Sequence, residues 1–125
     1  MTRIALFLAL LTLGTSCQLA PVLTPTGKLE PPASASLADI GQAVVKAGES
    51  LGWVVTIQGS GRARAQLDLR DHQAQVDVFY SKTHVEIRYV SSLNLMYMED
   101  MINRRYNKWV KNLRIRIQRN VAKIK

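Results

Sequence analysis

The stretch WVVTIQGSGRARAQLDLRDHQAQVDVFYSKTHVEIRYV, Trp53–Val90, decides the fold. It divides into four short runs in which apolar and polar residues alternate. Trp53, Val55 and Ile57 point one way; Val54, Thr56 and Gln58 point the other. After the turn Gly59-Ser60-Gly61, the residues Ala63, Ala65, Leu67 and Leu69 face in, while Arg62, Arg64, Gln66, Asp68 and Arg70 face out. Asp71-His72-Gln73 turns the chain again. Val76, Val78 and Tyr80 then face in, with Gln75, Asp77 and Phe79 out. Past Ser81-Lys82-Thr83, Val85, Ile87 and Tyr89 face in, with His84, Glu86 and Arg88 out. Successive side chains of a strand point to opposite faces. Clean alternation therefore means one covered face and one wet face, the habit of an antiparallel sheet. The connections are too short for crossovers, which predicts a four-stranded meander.

Working outward, both flanks read as helices. Leu37, Ile40, Val44, Val45 and Leu51 recur at helical spacing after a cap at Ser34 or Ser36, and Gly52 ends the pattern. This predicts a helix over 37–51. On the other side, 91–100 reads as irregular, with Ser92, Asn94 and Asp100 suited to turns. Ile102, Tyr106, Trp109, Val110, Leu113 and Ile117 then predict a helix over 100–121, with Arg105, Lys108, Asn112 and Arg119 on its far side. The predicted class is α+β, ordered α-β-β-β-β-α, with both helices on one face of the sheet. The small Ala63 and Ala65 let a helix approach closely. The domain runs over 37–125, a size at which a single core has a thin margin.

The N-terminus reads as an address. Met1-Thr2-Arg3 is a short positive start, and Ile4–Leu13 is an apolar run. Its helical length is about 15 Å, half of a hydrocarbon core of about 30 Å. Residues 1–16 therefore read as a signal peptide. Leu13-Gly14-Thr15-Ser16-Cys17 follows and resembles the lipobox of bacterial lipoproteins, with Gly14 where the family usually has Leu. The resemblance implies cleavage before Cys17 and acylation of that cysteine, palmitate included, because several acyl chains anchor where one is marginal. The alternative is an ordinary signal peptide cut near Ser16 or Ala20, leaving a thiol. Gln18, where some members carry an Asp that retains them at the inner membrane, implies an outer-membrane position facing the periplasm. Cys17 is the one cysteine, so no intramolecular disulfide can form. Gln18–Ser36 holds all four prolines and no periodicity. Residues 17–36 accordingly read as the lipidated cysteine followed by a Pro-rich tether with a reach of about 50 Å.

The chain has a formal charge of +8; removing Arg3 with the signal peptide leaves +7. Met101–Lys125 carries nine Lys or Arg and no Asp or Glu. Such a segment suits anionic partners or serves as a solvated face. Candidate anion- or partner-binding residues are Arg105, Lys108 and Arg119 on the helix, with Arg62, Arg64 and Arg88 on the wet sheet face. The partners in view are anionic lipid, lipopolysaccharide, peptidoglycan and an envelope protein, besides the membrane that holds the lipid. Phe79 beside arginines resembles a sheet that binds single-stranded nucleic acid. The envelope address argues against a nucleic-acid partner.

Gly52-Trp53, the Gly61-x-x-x-Ala65 run, Tyr89-Val-Ser-Ser-Leu-Asn-Leu and Tyr106-Asn107-x-Trp109 together resemble a group of small proteobacterial lipoproteins over about residues 37–117. That group has no established activity, so the resemblance implies an envelope location and this fold, and no mechanism.

Catalytic motifs are missing from the sequence: it has no phosphate loop, paired-cysteine zinc site or zinc-protease motif. No catalytic residue, metal or cofactor is predicted. His84 and Glu86 share a strand face, and pairing Phe79 with Glu86 would set Asp77 opposite Arg88. Two ligands are too few for structural zinc, so cross-strand charge pairing is the simpler reading. A small metal-dependent or hydrolytic enzyme using His84, Glu86 and Asp77 is the alternative. His72 beside Asp71 reads as a solvated turn. Tyr106 and Trp109 read as core, and Tyr97 with Asn94 and Ser92 as the first place to look for a ligand groove. The expected function is a non-enzymatic envelope lipoprotein that binds or assembles.

Overall fold

The computed structural model describes residues 18–125; residues 1–16, expected to be a signal peptide, and Cys17, the expected acylation site, lie outside the described residues. In chain order the elements are β1 (Leu19–Pro21), β2 (Thr26–Lys28), α1 (Leu37–Ser50), β3 (Trp53–Gly59), β4 (Arg62–Leu69), β5 (His72–Tyr80), β6 (His84–Leu93), β7 (Met101–Asn103) and α2 (Arg104–Ala122). The class is α+β, as the periodicity predicts.

Helix α1 begins at its expected cap. Ser36 Oγ accepts from the Asp39 amide at 3.0 Å, and the Asp39 carboxylate accepts from the Ser36 amide at 2.9 Å. Each satisfies an orphan amide of the first turn. Hydrogen bonds from Ser36, its amide foremost and then its side chain, hold the Asp39 carboxyl below its ordinary value. Gly52 takes φ +89° just past the helix, a conformation in which a Cβ is strained. Helix α2 is capped by Asn103, whose side-chain oxygen accepts from the Arg105 amide at 2.9 Å.

The meander forms as read, in the order β6-β5-β4-β3, but the sheet has five strands, with β2 added antiparallel outside β6. A second, two-stranded sheet pairs β1 with β7. β1 and β2 come from the stretch expected to be a tether, and β7 from the start of the helix expected over 100–121, which begins only at Arg104. From Leu19 onward the expected tether is laid along the fold, and Leu29 and Ala35 are buried. Prolines permit this because Pro25 needs no donor: its carbonyl accepts from the Ile87 amide at 2.9 Å. Two further corrections concern β6 and β4. Strand β6 is the longer of the two. It continues to Leu93 through a register shift opposite Gln75 and Val76, where Val90 is the extra residue. Leu69, expected inside, is exposed at the end of β4.

Both helices cover one face, and the core lies between. Ile40, Val44 and Ala47 of α1 and Tyr106, Val110, Leu113, Ile117 and Val121 of α2 pack on Ala63, Ala65, Val76, Val78, Val85 and Ile87. Gly48 is required here: a Cβ would run into the Val55 side chain, so α1 can lie this close to β3 only with glycine. The two sheet edges differ. At β2, Arg114 donates to the Thr26 carbonyl at 3.3 Å and Gln118 to the Lys28 carbonyl at 3.0 Å, closing the edge with helix side chains. At β3 no described backbone group pairs with the outer edge.

The incoming chain is fixed by Asn107, which is buried in α2. Its Nδ2 donates to the Pro21 carbonyl at 3.0 Å, and its Oδ1 accepts from the Leu23 amide at 3.1 Å. One amide side chain thus does what a neighbouring strand would do. Asn107→Ala removes both bonds and leaves two backbone groups to find water. Chemical denaturation should show a loss of about 1–3 kcal/mol, with proteolysis opening first within residues 18–30. An unchanged midpoint and an unchanged cleavage pattern would contradict the clamp.

Candidate functional site

Two surfaces carry the candidate residues, and the fold disposes of their charge in opposite ways. On the wet face of the sheet, strand register builds rows. One row runs Thr56, Arg64, Asp77, Arg88 across four strands; the next runs Val54, Gln66, Gln75, Ser91. The pairing of Phe79 with Glu86 sets Asp77 opposite Arg88, as the sequence allowed.

Asp77 nevertheless turns toward β4. Arg64 Nε donates to its Oδ1 at 3.0 Å, and Arg62 and Arg64 both reach its Oδ2 at 3.3 Å. Asp77 is buried, so its charge depends on these partners. The guanidinium of Arg64 is held further in its charged form by the Asp77 hydrogen bond and charge. Arg88 pairs with Glu86 at 2.9 Å. Phe79 lies between the two groups, with the Arg88 guanidinium 4.7 Å and the Arg62 guanidinium 5.8 Å from its ring centre. Stacked cations cover the ring, which is half-buried although it lies on the wet face. Three arginines, two carboxylates and one ring thus form a single strip.

Beside the strip runs a chain of amides. Ser91 Oγ donates to Gln75, Gln75 donates to Gln66 at 2.7 Å, and Gln66 donates to Asp68, which also accepts from Gln73. These donors, Gln66 first and then Gln73, hold the Asp68 carboxyl below its ordinary value. The wet face is largely satisfied by its own groups.

The three residues of the enzymatic alternative are engaged separately. His84 Nδ1 lies 2.9 Å from Thr83 Oγ1, Glu86 turns to Arg88, and Asp77 to Arg62 and Arg64. Among the described residues no group of three His, Cys, Asp or Glu converges. A concavity of about 630 Å³ is an open depression at the β5–β6 turn lined by Leu37, Phe79, Tyr80, His84 and Glu86.

Helix α2 is the contrasting surface. Arg104, Arg105, Lys108, Lys111 and Arg119 are exposed along it, with Ile115 exposed among them. Among the described residues no carboxylate pairs with any of its cations. Arg105 instead lies 3.3 Å from His72 Nε2, and Arg116 donates to Ser50 Oγ. The structure thus separates the six predicted residues. Arg62, Arg64 and Arg88 converge around Phe79; Arg105, Lys108 and Arg119 lie along the helix on the other side of the molecule.

The turn and loop residues meet at one end. His72 is no free turn residue: its Nδ1 is 2.8 Å from the Asn94 carbonyl, and Asn94 donates to the Asp71 carbonyl. Tyr97 stacks on Tyr89 at 4.3 Å, and Tyr89 meets buried Tyr106 edge-on at 5.6 Å. Desolvation raises the Tyr106 hydroxyl above its ordinary range, with Tyr89 adding to it. The expected groove beside Tyr97 is therefore filled by Tyr89. Sequence reasoning missed Leu93, Met96 and Met98, all exposed on this loop. Their signal is the run LNLMYM, more apolar than an ordinary turn.

No protein-family model matches the chain, and no curated protein matches it at a significant level. Function therefore has to be argued from the surfaces alone.

Asp77→Asn tests the strip directly. It keeps the shape and removes the charge that two guanidiniums share, so stability at neutral pH should fall by about 1–3 kcal/mol. Thermal and chemical unfolding check this. An equal or higher stability would show that the strip is not held by Asp77.

Proposed function

We propose that this chain is an exported bacterial lipoprotein, acylated on Cys17 and placed at the outer membrane facing the periplasm. Its domain works there without catalysis, binding an anionic envelope component through the cationic face of α2. The single observation that carries the binding surface is the contrast between the two faces. The arginines of the sheet are spent on Asp77 and Glu86, whereas the cations of α2 have no acidic partner among the described residues. An unbalanced row of cations on a helix about 28 Å long attracts anions over roughly a Debye length, about 8 Å at physiological salt. The address rests on the order positive start, short apolar run and small residues before Cys17.

Two measurements separate the address from the binding. Metabolic labelling with palmitate should mark the chain and fail to mark Cys17→Ser; a labelled Cys17→Ser chain, or an unlabelled native one, would sink the address. The chain from Gln18 onward should bind phosphatidylglycerol vesicles, lipopolysaccharide or peptidoglycan fragments in a salt-sensitive way. Combined Arg105→Glu, Lys108→Glu and Arg119→Glu should weaken that binding tenfold or more while leaving the circular dichroism spectrum unchanged. Equal binding by the reversed helix, or no loss at high salt, would count against α2 as the surface.

A further inference from the structure

Among the described residues, five of the eight exposed large hydrophobic residues gather at one end of the molecule: Leu69, Leu93, Met96, Tyr97 and Met98. Met98 is 68% exposed and Leu93 59%. Apolar surface concentrated in this way marks an interaction site more often than scattered residues do.

The loop that carries them is held in an unusual backbone. Asn94, Met96, Glu99 and Asp100 all have φ between 49° and 62°. Left-handed geometry at residues other than glycine is costly and persists where surroundings enforce it. The surroundings are on the page. Leu95 is buried and its carbonyl accepts from the Asn103 amide at 2.8 Å. Met98 and Met101 exchange backbone hydrogen bonds at 2.9 and 3.0 Å. Tyr97 stacks on Tyr89. The loop is a braced lip, with Leu93, Met96 and Met98 left pointing outward.

The chain enters the fold at this lip. The Arg104 amide donates to the Gln18 carbonyl at 2.7 Å, and the Val22 amide donates to the Asp100 carbonyl at 2.9 Å. Gln18, which follows Cys17 in the sequence, is thus held against the fold. No tether of about 50 Å intervenes. Arg104, Arg105 and Arg70 flank the lip, with Asp71, Glu99 and Asp100 beside them. The local charge is mixed, so apolar contact and not attraction sets this end apart.

From these observations we infer that the lip over Leu93–Met98 inserts into the surface of the bilayer that holds the acylated Cys17. The inference rests on the lipid-anchor reading above. Leucine, methionine and tyrosine at such an end suit the boundary between headgroups and acyl chains, where apolar side chains bury while polar backbone stays hydrated. The lip then fixes how the domain stands, and the β5–β6 turn at the far end of the strands points away from the membrane. Strand β5, with nine residues, separates the two ends by about 30 Å.

The test uses the acylated protein reconstituted in vesicles of phosphatidylethanolamine and phosphatidylglycerol. Met98→Cys and Lys82→Cys are made separately, and with Cys17 acylated each gives one thiol for an environment-sensitive fluorophore. Both side chains are exposed, so folding is not at stake. The dye at 98 should shift to the blue and be quenched severalfold more by lipid-borne nitroxide than the dye at 82, with iodide showing the reverse order. Equal iodide quenching at both positions on a protein that carries palmitate would overturn the lip and leave the anchor standing. A protein that takes no palmitate would instead refute the anchor.

Discussion

The rest of the structure depends on the two hydrogen bonds that Asn107 makes to the backbone of the entering chain. They hold Pro21 and Leu23 against α2, with β1 paired to β7 on one side and β2 paired to β6 on the other. Without that clamp, residues 18–35 would be a spacer and the sheet would end at β6. With it, the chain supplies a fifth strand, buries Leu29, and presents Thr26 and Lys28 carbonyls for Arg114 and Gln118 to cover. The clamp also decides where the N-terminus leaves the molecule, and hence what any anchor at Cys17 would bring near.

Charge is handled by the same economy of partners. The buried carboxylate of Asp77 requires cations, and two arginines from β4 meet it. Glu86 takes Arg88. What is left over collects on α2, where no carboxylate pairs with a cation among the described residues. A surface that looked cationic in sequence is thus nearly balanced on the sheet and unbalanced on the helix. Hydrogen bonding decides this, because a half-buried carboxylate without partners is expensive.

Much of the fold was legible in the sequence, for a physical reason. The meander and both helices announce themselves because burial of one face repeats at period 2 or 3.6. The pairing of Phe79 with Glu86, weighed as one possible register, is the one that forms, and of the two candidate caps Ser36 is the one used. The short strands were not legible. Thr26-Gly27-Lys28 has no period to read, and its partners Val85 and Gln118 are far along the chain. Prolines at 21 and 25 signalled a spacer, yet a proline at a sheet edge needs only its carbonyl. The candidate site was half legible. Residue types located the cations, but only register shows that Arg62 and Arg64 share Asp77, and only the fold brings Leu69 to the same end as Leu93. The left-handed backbone at Met96 and Glu99 has no signature in those residue types.

The most direct test of this account is amide hydrogen exchange on the chain from Gln18 onward, read at Val22, Leu23 and Leu29. Their partners are the Asp100 carbonyl, the Asn107 side chain and the Thr83 carbonyl, at 2.9, 3.1 and 2.8 Å. If the entering chain is part of the fold, these amides exchange as slowly as those of the β5–β6 ladder and open only with global unfolding. If residues 18–35 are a tether, they exchange at the rate of an unfolded peptide, and the placement of the N-terminus beside the lip fails with them.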